Sequence, residues 1–141
     1  IVGIKNSRGK LDLVGELVEH TAGEDFDVLV GSGALLYPAL EVGAVGGIMA
    51  VGLMAPAQAA EISIAFAEGR SGDAGRAQER IAPVHNEIVG GMGVPGIKAA
   101  LDLLGMHGGA PRPPLSPAPD AKVEEVRAVL GRAGLLEGVA A

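Results

Sequence analysis

Residues 26–51, FDVLVGSGALLYPALEVGAVGGIMAV, contain two apolar runs separated by a helical pattern. The runs at residues 26–30 and 45–51 are rich in Val and Ile and are bounded by small or polar residues, as buried strands are. Residues 35–42 between them predict a short helix that ends at Gly43. Because the runs are apolar throughout instead of alternating, they favour a parallel sheet covered on both faces. The segment therefore predicts a strand–helix–strand unit.

The same order extends in both directions along the chain. Residues 1–4 predict a first strand, and the helix after it has an apolar face formed by Leu11, Val14, Leu17 and Val18. Residues 57–68 predict a third helix, with Pro56 at its first turn and Gly69 at its end. The strand spacing of roughly twenty to twenty-five residues is typical of a (β/α)8 TIM barrel. Three strands cannot close such a barrel, so five of its strands are expected outside this sequence.

The second half of the chain has no strand pattern. It predicts three helices, at residues 73–89, 94–104 and 121–133. Residues 107–119, HGGAPRPPLSPAP, are too rich in Pro and Gly for a helix or a central strand and predict an ordered crossing segment. We therefore expect two parts, with three βα units in residues 1–69 and a three-helix extension in residues 70–141.

Composition excludes several classes of function. The 141 residues carry a formal charge of −6 and 2% aromatic side chains, which argues against nucleic-acid binding. The absence of Cys excludes thiolate catalysis and is compatible with a reducing, cytoplasmic location. A membrane helix between Glu41 and Glu61 is disfavoured by four Gly and Pro56. The apolar start at Ile1 suggests a chain cut from something longer.

Lys5 is the strongest candidate for chemistry. In a parallel α/β fold, functional groups gather at the carboxyl ends of strands, and Lys5 directly follows the first predicted strand. An apolar setting disfavours the ammonium form, and a neutral amine attacks carbonyl carbon. The sequence thus suggests Schiff-base catalysis. The alternative is a lysine that extends to solvent or binds phosphate.

Residues 31–33, Gly-Ser-Gly, follow the second predicted strand. Their backbone N–H groups and the Ser32 hydroxyl could bind an anionic group such as a carboxylate. A tight turn that needs Gly conformations is the structural alternative. A nucleotide site is a further alternative, although Leu36 stands where a dinucleotide fingerprint has its third Gly. Asn6 and Ser7 could orient a substrate or cap the following helix.

The histidines suggest no metal site. His20, His85 and His107 lie far apart and lack ligand spacing. Ser32 has no His and acidic partner that the sequence reveals, so a hydrolase triad is not supported. No metal or cofactor is expected.

Three segments of the chain resemble one known family. They are IVGIKNS at residues 1–7, VLVGSGALLYPALEVGAVGGIMAVGLMAP at residues 28–56, and VPGIKAALDLLGMHGGAPRPPL at residues 94–115. They resemble the C-terminal half of the dihydrodipicolinate synthase/N-acetylneuraminate lyase family over nearly the whole chain. The resemblance implies the C-terminal part of a TIM barrel with a helical extension. It also implies a homotetrameric class I aldolase or lyase acting on pyruvate or another 2-oxo acid.

The resemblance also assigns roles to residues. Lys5 corresponds to the lysine that forms the Schiff base, and the substrate-binding positions are Ser7, Gly31, Ser32 and Ile48. The family's catalytic tyrosine and the hydroxyl groups that bind the pyruvate carboxylate belong to the N-terminal half of the barrel. We therefore expect that half as a partner and expect this chain alone to be inactive.

The substrate stays open between two options. The second and third segments look nearer to 4-hydroxy-2-oxoglutarate aldolases, because dihydrodipicolinate synthases usually carry Asp in the run after the second strand. Condensation of pyruvate with aspartate semialdehyde, the synthase reaction, is the alternative. A non-catalytic barrel half that binds a metabolite or a partner chain is a further alternative.

Overall fold

A computed structural model describes residues 1–136. The first half alternates strands and helices in the predicted order. The elements are β1 (Gly3–Asn6), α1 (Leu11–His20), β2 (Asp27–Val30), α2 (Leu36–Glu41), β3 (Gly46–Gly47) and α3 (Pro56–Ala67). Short 3-10 turns at Gly33–Leu35 and Ala50–Leu53 follow β2 and β3.

The second half is helical. Its elements are α4 (Ser71–Pro83), a π-helical stretch called here the π segment (Val84–Gly90), α5 (Gly91–Leu103) and α6 (Asp120–Arg132). Within α5 the backbone leaves helical geometry at Gly93, where φ is 62°. This interruption lies next to the predicted start of that helix at Val94.

The sheet is parallel, with strand order β1-β2-β3. Asn6 pairs with Val30, and Val30 pairs with Gly47, so the carboxyl ends of all three strands lie at one edge. The predicted parallel sheet is confirmed. The bounds of β1 and β3 differ most from the prediction.

β1 lies two residues further along the chain than the apolar pattern predicted. The run at residues 1–4 suggested a strand that stops before Lys5, whereas Lys5 pairs with Leu29 inside the ladder. Ile1 and Val2 are exposed. Pairing of backbone N–H and C=O groups with β2, not side-chain apolarity, sets the end of this strand.

β3 is much shorter than the predicted run at residues 45–51. Only Gly46 and Gly47 form the ladder, and two flanking hydrogen bonds, both 2.9 Å, join Val45 N–H to the Val28 carbonyl and Ile48 N–H to the Val30 carbonyl. The chain then turns into the 3-10 helix at Ala50. Ile48 therefore lies one residue beyond β3, which corrects its predicted place on the strand.

Only one face of the sheet is covered within residues 1–136. Val28 and Val30 are buried beneath the helices, whereas Ile48 is 55% exposed on the other side. The sequence predicted a sheet covered on both faces, and within these residues nothing packs on its second face. A parallel sheet normally carries layers on both faces, so the open face needs further chain to cover it.

The helical extension shares its core with the βα units. One apolar cluster joins buried residues of β2, such as Val28, to Ile88 of the π segment and to Leu130 of α6. The division into residues 1–69 and 70–141 stays a prediction about domain organisation. Residues 137–141, at the end of the predicted helical extension, lie outside the described part of the chain.

The Pro-rich connection, predicted to be an ordered crossing segment, is joined to α5 by two hydrogen bonds. The Lys98 ammonium donates a hydrogen bond to the Gly108 carbonyl at 2.6 Å, and the Gly108 N–H donates to Asp102 Oδ1 at 2.8 Å.

The uncharged stretch after Glu41 is divided among β3, a 3-10 turn and the start of α3. None of the helices in the described part of the chain is long and apolar enough to cross a membrane.

Candidate active site

The alternation of side chains along the strands sorts the candidate residues by face. Lys5 and Leu29 are register partners, so their side chains project from the same side of the sheet. Ser7 lies two residues after Lys5, and Gly31 lies two residues after Leu29. Both are therefore expected on the face that carries Lys5.

Gly31 lies directly against the lysine. A Cβ atom placed on Gly31 would lie 2.9 Å from Lys5 Cε and would overlap Ser7 Oγ. The structure thus brings Lys5, Ser7 and Gly31 together at the carboxyl edge of β1 and β2. The backbone of Gly31 does not have positive φ, so the expected need for a Gly conformation at this turn is wrong. Glycine is required there for space.

Gly33 is explained in the same way. A Cβ atom on Gly33 would overlap Val51 Cγ1 and would lie 3.5 Å from His85 Nδ1. Val51 is fully buried, so this close approach forms part of the core. Both glycines of the Gly-Ser-Gly run therefore permit close packing.

Lys5 is exposed, which corrects the expectation of a poorly solvated interior. The physical reason is the open face of the sheet, since the layer that would desolvate the amine is not present within residues 1–136. The position of Lys5 at the carboxyl edge agrees with the prediction, but its environment in this part of the chain does not supply desolvation.

The backbone N–H groups expected to bind an anion are already used. Gly31 N–H donates to the Asn6 carbonyl at 2.7 Å, and Gly33 N–H donates to His85 Nδ1 at 3.2 Å. The expectation that these two groups are free for a carboxylate is wrong. The nucleotide alternative loses its support for the same reason, because it required the same N–H groups.

Ser32 and His85 form a pair that the sequence did not reveal. Ser32 Oγ and His85 Nε2 lie 3.0 Å apart, although the two residues are 53 positions apart in sequence. Ser32 is 7% exposed. The available signal was the position of His85 among Ile81, Val84 and Ile88 on one helical face, where a polar residue needs a partner.

This pair does not form a hydrolase triad. Because Gly33 N–H donates to Nδ1, that nitrogen is unprotonated, and Nε2–H donates to the Ser32 hydroxyl. His85 therefore cannot accept the Ser32 proton in this arrangement, and Nδ1 has no proton to share with a carboxylate. Partial burial lowers the pKa of His85, which favours this neutral form.

Ile48 lies on the same side of the sheet as Lys5 but at a distance. It is two residues beyond Gly46, which shares a rung of the ladder with Leu29 and, through Leu29, with Lys5. Two strand spacings separate β1 from β3, or about 10 Å. A contact between Ile48 and the substrate stays a prediction.

Asn6 and Ser7 do not cap the first helix. The residue before α1 is Lys10, and no side chain there forms a capping hydrogen bond. Asn6 is instead nearly buried and accepts a hydrogen bond from Arg8 N–H at 2.9 Å through Oδ1. The capping alternative is therefore wrong, and Ser7 keeps an exposed hydroxyl beside Gly31.

No metal cluster accompanies these residues in the described part of the chain. Within residues 1–136, no group of three or more His, Cys, Asp and Glu side chains is placed to hold an ion. The chemistry that this edge of the sheet offers is that of a primary amine beside a hydroxyl and a closely packed glycine.

Comparison with known proteins gives one consistent result. The profile of the Dihydrodipicolinate synthetase family matches residues 1–133. The 4-hydroxy-tetrahydrodipicolinate synthase of Methanopyrus kandleri is 37% identical over 139 residues, which cover 96% of this chain and 45% of that protein.

Solved structures agree with the sequence match. The dihydrodipicolinate synthase of Thermotoga maritima superposes with a TM-score of 0.84 at 30% identity, covering 96% of this chain and 47% of that one. The chloride-inhibited dihydrodipicolinate synthase of Acinetobacter baumannii, in complex with pyruvate, superposes with a TM-score of 0.87 at 26% identity, covering 96% and 46%.

The chain thus spans less than half the length of these relatives. The predicted fold, the C-terminal part of a TIM barrel followed by a helical extension, is confirmed by these superpositions. With the family profile matching nearly the whole chain, this protein belongs to the Dihydrodipicolinate synthetase family.

Proposed function

We propose that this chain supplies Lys5 as the Schiff-base nucleophile of a class I aldolase or lyase that acts on pyruvate or a related 2-oxo acid. The observation that carries the proposal is the position of Lys5. It lies at the carboxyl edge of a parallel sheet, with Gly31 packed against its Cε atom and Ser7 beside it. Membership of the family and a relative in complex with pyruvate support the choice of substrate.

The chemistry follows from a primary amine. The neutral Lys5 amine adds to the keto carbon of the 2-oxo acid, and loss of water leaves an imine. Protonation of the imine nitrogen lets it accept the electron pair when a C–H or C–C bond at the adjacent carbon breaks. The resulting enamine then forms a new bond to an aldehyde, or takes up a proton after a cleavage. Water returns the lysine and releases the product.

Two reactions use this intermediate. The relatives named 4-hydroxy-tetrahydrodipicolinate synthase favour the condensation of pyruvate with aspartate semialdehyde. Cleavage of 4-hydroxy-2-oxoglutarate is the second candidate, favoured by the run after β2, which has no Asp although the synthases usually carry one there. Ser7, Gly31 and Ile48 are proposed to line the pocket on the face of Lys5. Ser32 stays a predicted binding residue that belongs to the same loop.

The rest of the barrel is proposed as the partner of this chain. The open face of the sheet, with Ile48 exposed on it, and the coverage of less than half of each relative support this proposal. An N-terminal half would cover Lys5 and supply the groups that bind the carboxylate and move protons. The assembled protein is proposed to be a homotetramer, and this chain alone is proposed to be inactive.

Borohydride trapping tests the nucleophile. The complete barrel is incubated with pyruvate and sodium borohydride, which reduces the imine to a stable amine, and the labelled peptide is identified by mass spectrometry. We expect the label on Lys5. Lys5→Arg keeps the charge but cannot form the adduct, so it should abolish labelling.

Lys10→Ala is the matched control. Lys10 is exposed, lies five residues away and precedes α1, so its loss should leave the labelling of Lys5 unchanged. A wild-type barrel that binds pyruvate without labelling at Lys5 would reject the proposal and favour the non-catalytic alternative.

A further inference from the structure

The loop after β2 is held by a histidine from the helical extension. We propose that His85 is a positioning residue, which fixes the Ser32–Gly33 turn and thereby holds Gly31 against Lys5. The inference rests on the proposed function of Lys5 and adds a residue to it. Among residues 1–136 the hydrogen bonds of His85 go to Ser32 and Gly33 and not to Lys5, so its effect on the lysine passes through the loop.

The imidazole makes two hydrogen bonds of opposite direction to adjacent residues. Nδ1 accepts from Gly33 N–H at 3.2 Å, and Nε2 donates to Ser32 Oγ at 3.0 Å. Both bonds require the neutral tautomer that carries its proton on Nε2. A side chain that donates at one end and accepts at the other fixes both the backbone and the hydroxyl of this turn.

A second side chain binds the carbonyl of Gly33, which belongs to the next peptide group. Gln78 Nε2 donates to the Gly33 carbonyl at 2.8 Å, while Gln78 Oε1 accepts from Tyr37 N–H at 2.8 Å. Gln78 is 8% exposed. The N–H and C=O groups of Gly33 are thus both bound by side chains from beyond residue 70, so the turn has little freedom to move.

Hydrogen bonds hold the backbone on both sides of Gly31. On one side its N–H donates to the Asn6 carbonyl at 2.7 Å, continuing the sheet. On the other side are Ser32 and Gly33, which His85 holds. Because Gly31 lies so close to Lys5 Cε, a small shift of the turn would change the space available to the lysine side chain.

The π segment itself is firmly placed. Val84 and Ile88 on either side of His85 are fully buried. Glu87 accepts two hydrogen bonds from Arg132 of α6, at 2.8 and 2.9 Å. The imidazole is therefore presented to the loop by a packed element, as positioning of a reactive group requires.

Two substitutions separate the two hydrogen bonds. Asn carries its amide oxygen where His85 has Nδ1, so His85→Asn can keep the bond from Gly33 N–H. Gln carries its amide nitrogen near the position of Nε2, so His85→Gln can keep the bond to Ser32. His85→Ala removes both. Each variant is introduced into the complete barrel, alone and together with Ser32→Ala.

The readout is the rate of trapping of Lys5 with pyruvate, together with KM and kcat. We expect His85→Ala to slow trapping about tenfold or more, with a larger change in kcat than in KM, because misplacement by about 1 Å can cost up to a hundredfold. His85→Asn and His85→Gln should each recover part of the loss. Urea unfolding of the same proteins measures their stability, and the two amide variants keep the test informative should the Ala variant not fold.

The double variants give the deciding result. With Ser32→Ala, His85→Gln should become as slow as His85→Ala, because its one retained bond has lost its partner, whereas His85→Asn should keep its advantage. Trapping of Lys5 at the wild-type rate by every His85 variant would overturn the positioning role. So would trapping rates that only follow the free energy of unfolding of each variant. Absence of label in the wild type would instead reject the proposed function, so the two failures are distinguishable.

Discussion

Gly31 and Lys5 are in such close contact that a single added methyl group could not be accommodated without movement of the lysine side chain. The Cβ of Gly31→Ala would lie 2.9 Å from Lys5 Cε and would overlap Ser7 Oγ. The Lys5 side chain and Ser7 Oγ can rotate away, but Ser7 Cβ, also 2.9 Å from the added atom, is fixed to the backbone. We therefore expect Gly31→Ala to destabilise the protein by about 1–3 kcal/mol and to slow the trapping of Lys5 about tenfold or more.

Gly52→Ala is the control for this prediction. Gly52 lies in the 3-10 turn after β3, and no heavy atom other than those of its neighbours lies within 4 Å of its added Cβ. It should alter neither trapping nor stability appreciably. Trapping by Gly31→Ala at the wild-type rate would show that the close approach has no effect on the amine.

The burial of His85 predicts a dependence of stability on pH. Burial lowers the pKa of His85 below its ordinary value of 6.5, so the unfolded chain takes up this proton at a higher pH than the folded chain does. The contribution of His85 to stability is therefore complete above about pH 6.5 and is lost as the pH falls through the lower, folded pKa.

Urea unfolding at several pH values measures this effect. The wild-type protein should lose more stability than His85→Gln between about pH 7 and 5, since glutamine does not titrate. His20 and His107 are present in both proteins, so their contributions cancel in the difference. Parallel pH profiles for the two proteins would contradict the prediction.

Gly108 anchors the Pro-rich connection to α5 and cannot carry a side chain there. An added Cβ would overlap the Lys98 carbonyl oxygen and lie 2.8 Å from its carbon, and a backbone cannot rotate away. We expect Gly108→Ala to destabilise the protein by about 1–3 kcal/mol. Gly131→Ala in α6 meets no atoms within 4 Å and should be neutral or stabilising by about 1 kcal/mol at most. Chemical denaturation of both variants is the measurement.

Leu130 tests whether the helical extension is part of one folding unit. This residue of α6 is fully buried in the same apolar cluster as Val28 of β2. Leu130→Ala should cost about 2–5 kcal/mol and should lower a single cooperative transition of the whole protein. Arg127→Ala, which removes only an exposed ion pair with Glu124, should cost less than about 1 kcal/mol. Two separate calorimetric transitions, with only one affected by Leu130→Ala, would support independent domains at residues 1–69 and 70–141.

The sequence was informative where local pattern decides structure. Apolar runs bounded by Gly and polar residues located the strands, and Pro56 and Gly69 marked the ends of α3. Strand boundaries were less predictable, because they depend on backbone pairing between distant segments. Lys5 was expected after β1 and lies within it for that reason.

The candidate site was predicted in part. The position of Lys5 at the carboxyl edge of a parallel sheet follows from the order of the elements. The pairing of Ser32 with His85 could not be read from the sequence, because the two residues are 53 positions apart, with α2, β3, α3 and α4 between them. The use of glycine at positions 31 and 33 for close packing was equally hidden, since it depends on Lys5, Ser7 and Val51.

The helix that runs from α4 into the π segment makes the number of residues, as well as their identity, a constraint on this fold. Gln78 and His85 bind the same turn from positions seven residues apart, which is about two turns of an α-helix. Deleting one residue between them would rotate the imidazole by about 100° relative to Gln78, and the two side chains could no longer reach Gly33 together. A π-helical turn holds about one residue more than an α-helical turn, so a one-residue deletion after His85 would be absorbed within the π segment. Redesign should therefore tolerate replacement of surface residues far better than shortening between Gln78 and His85.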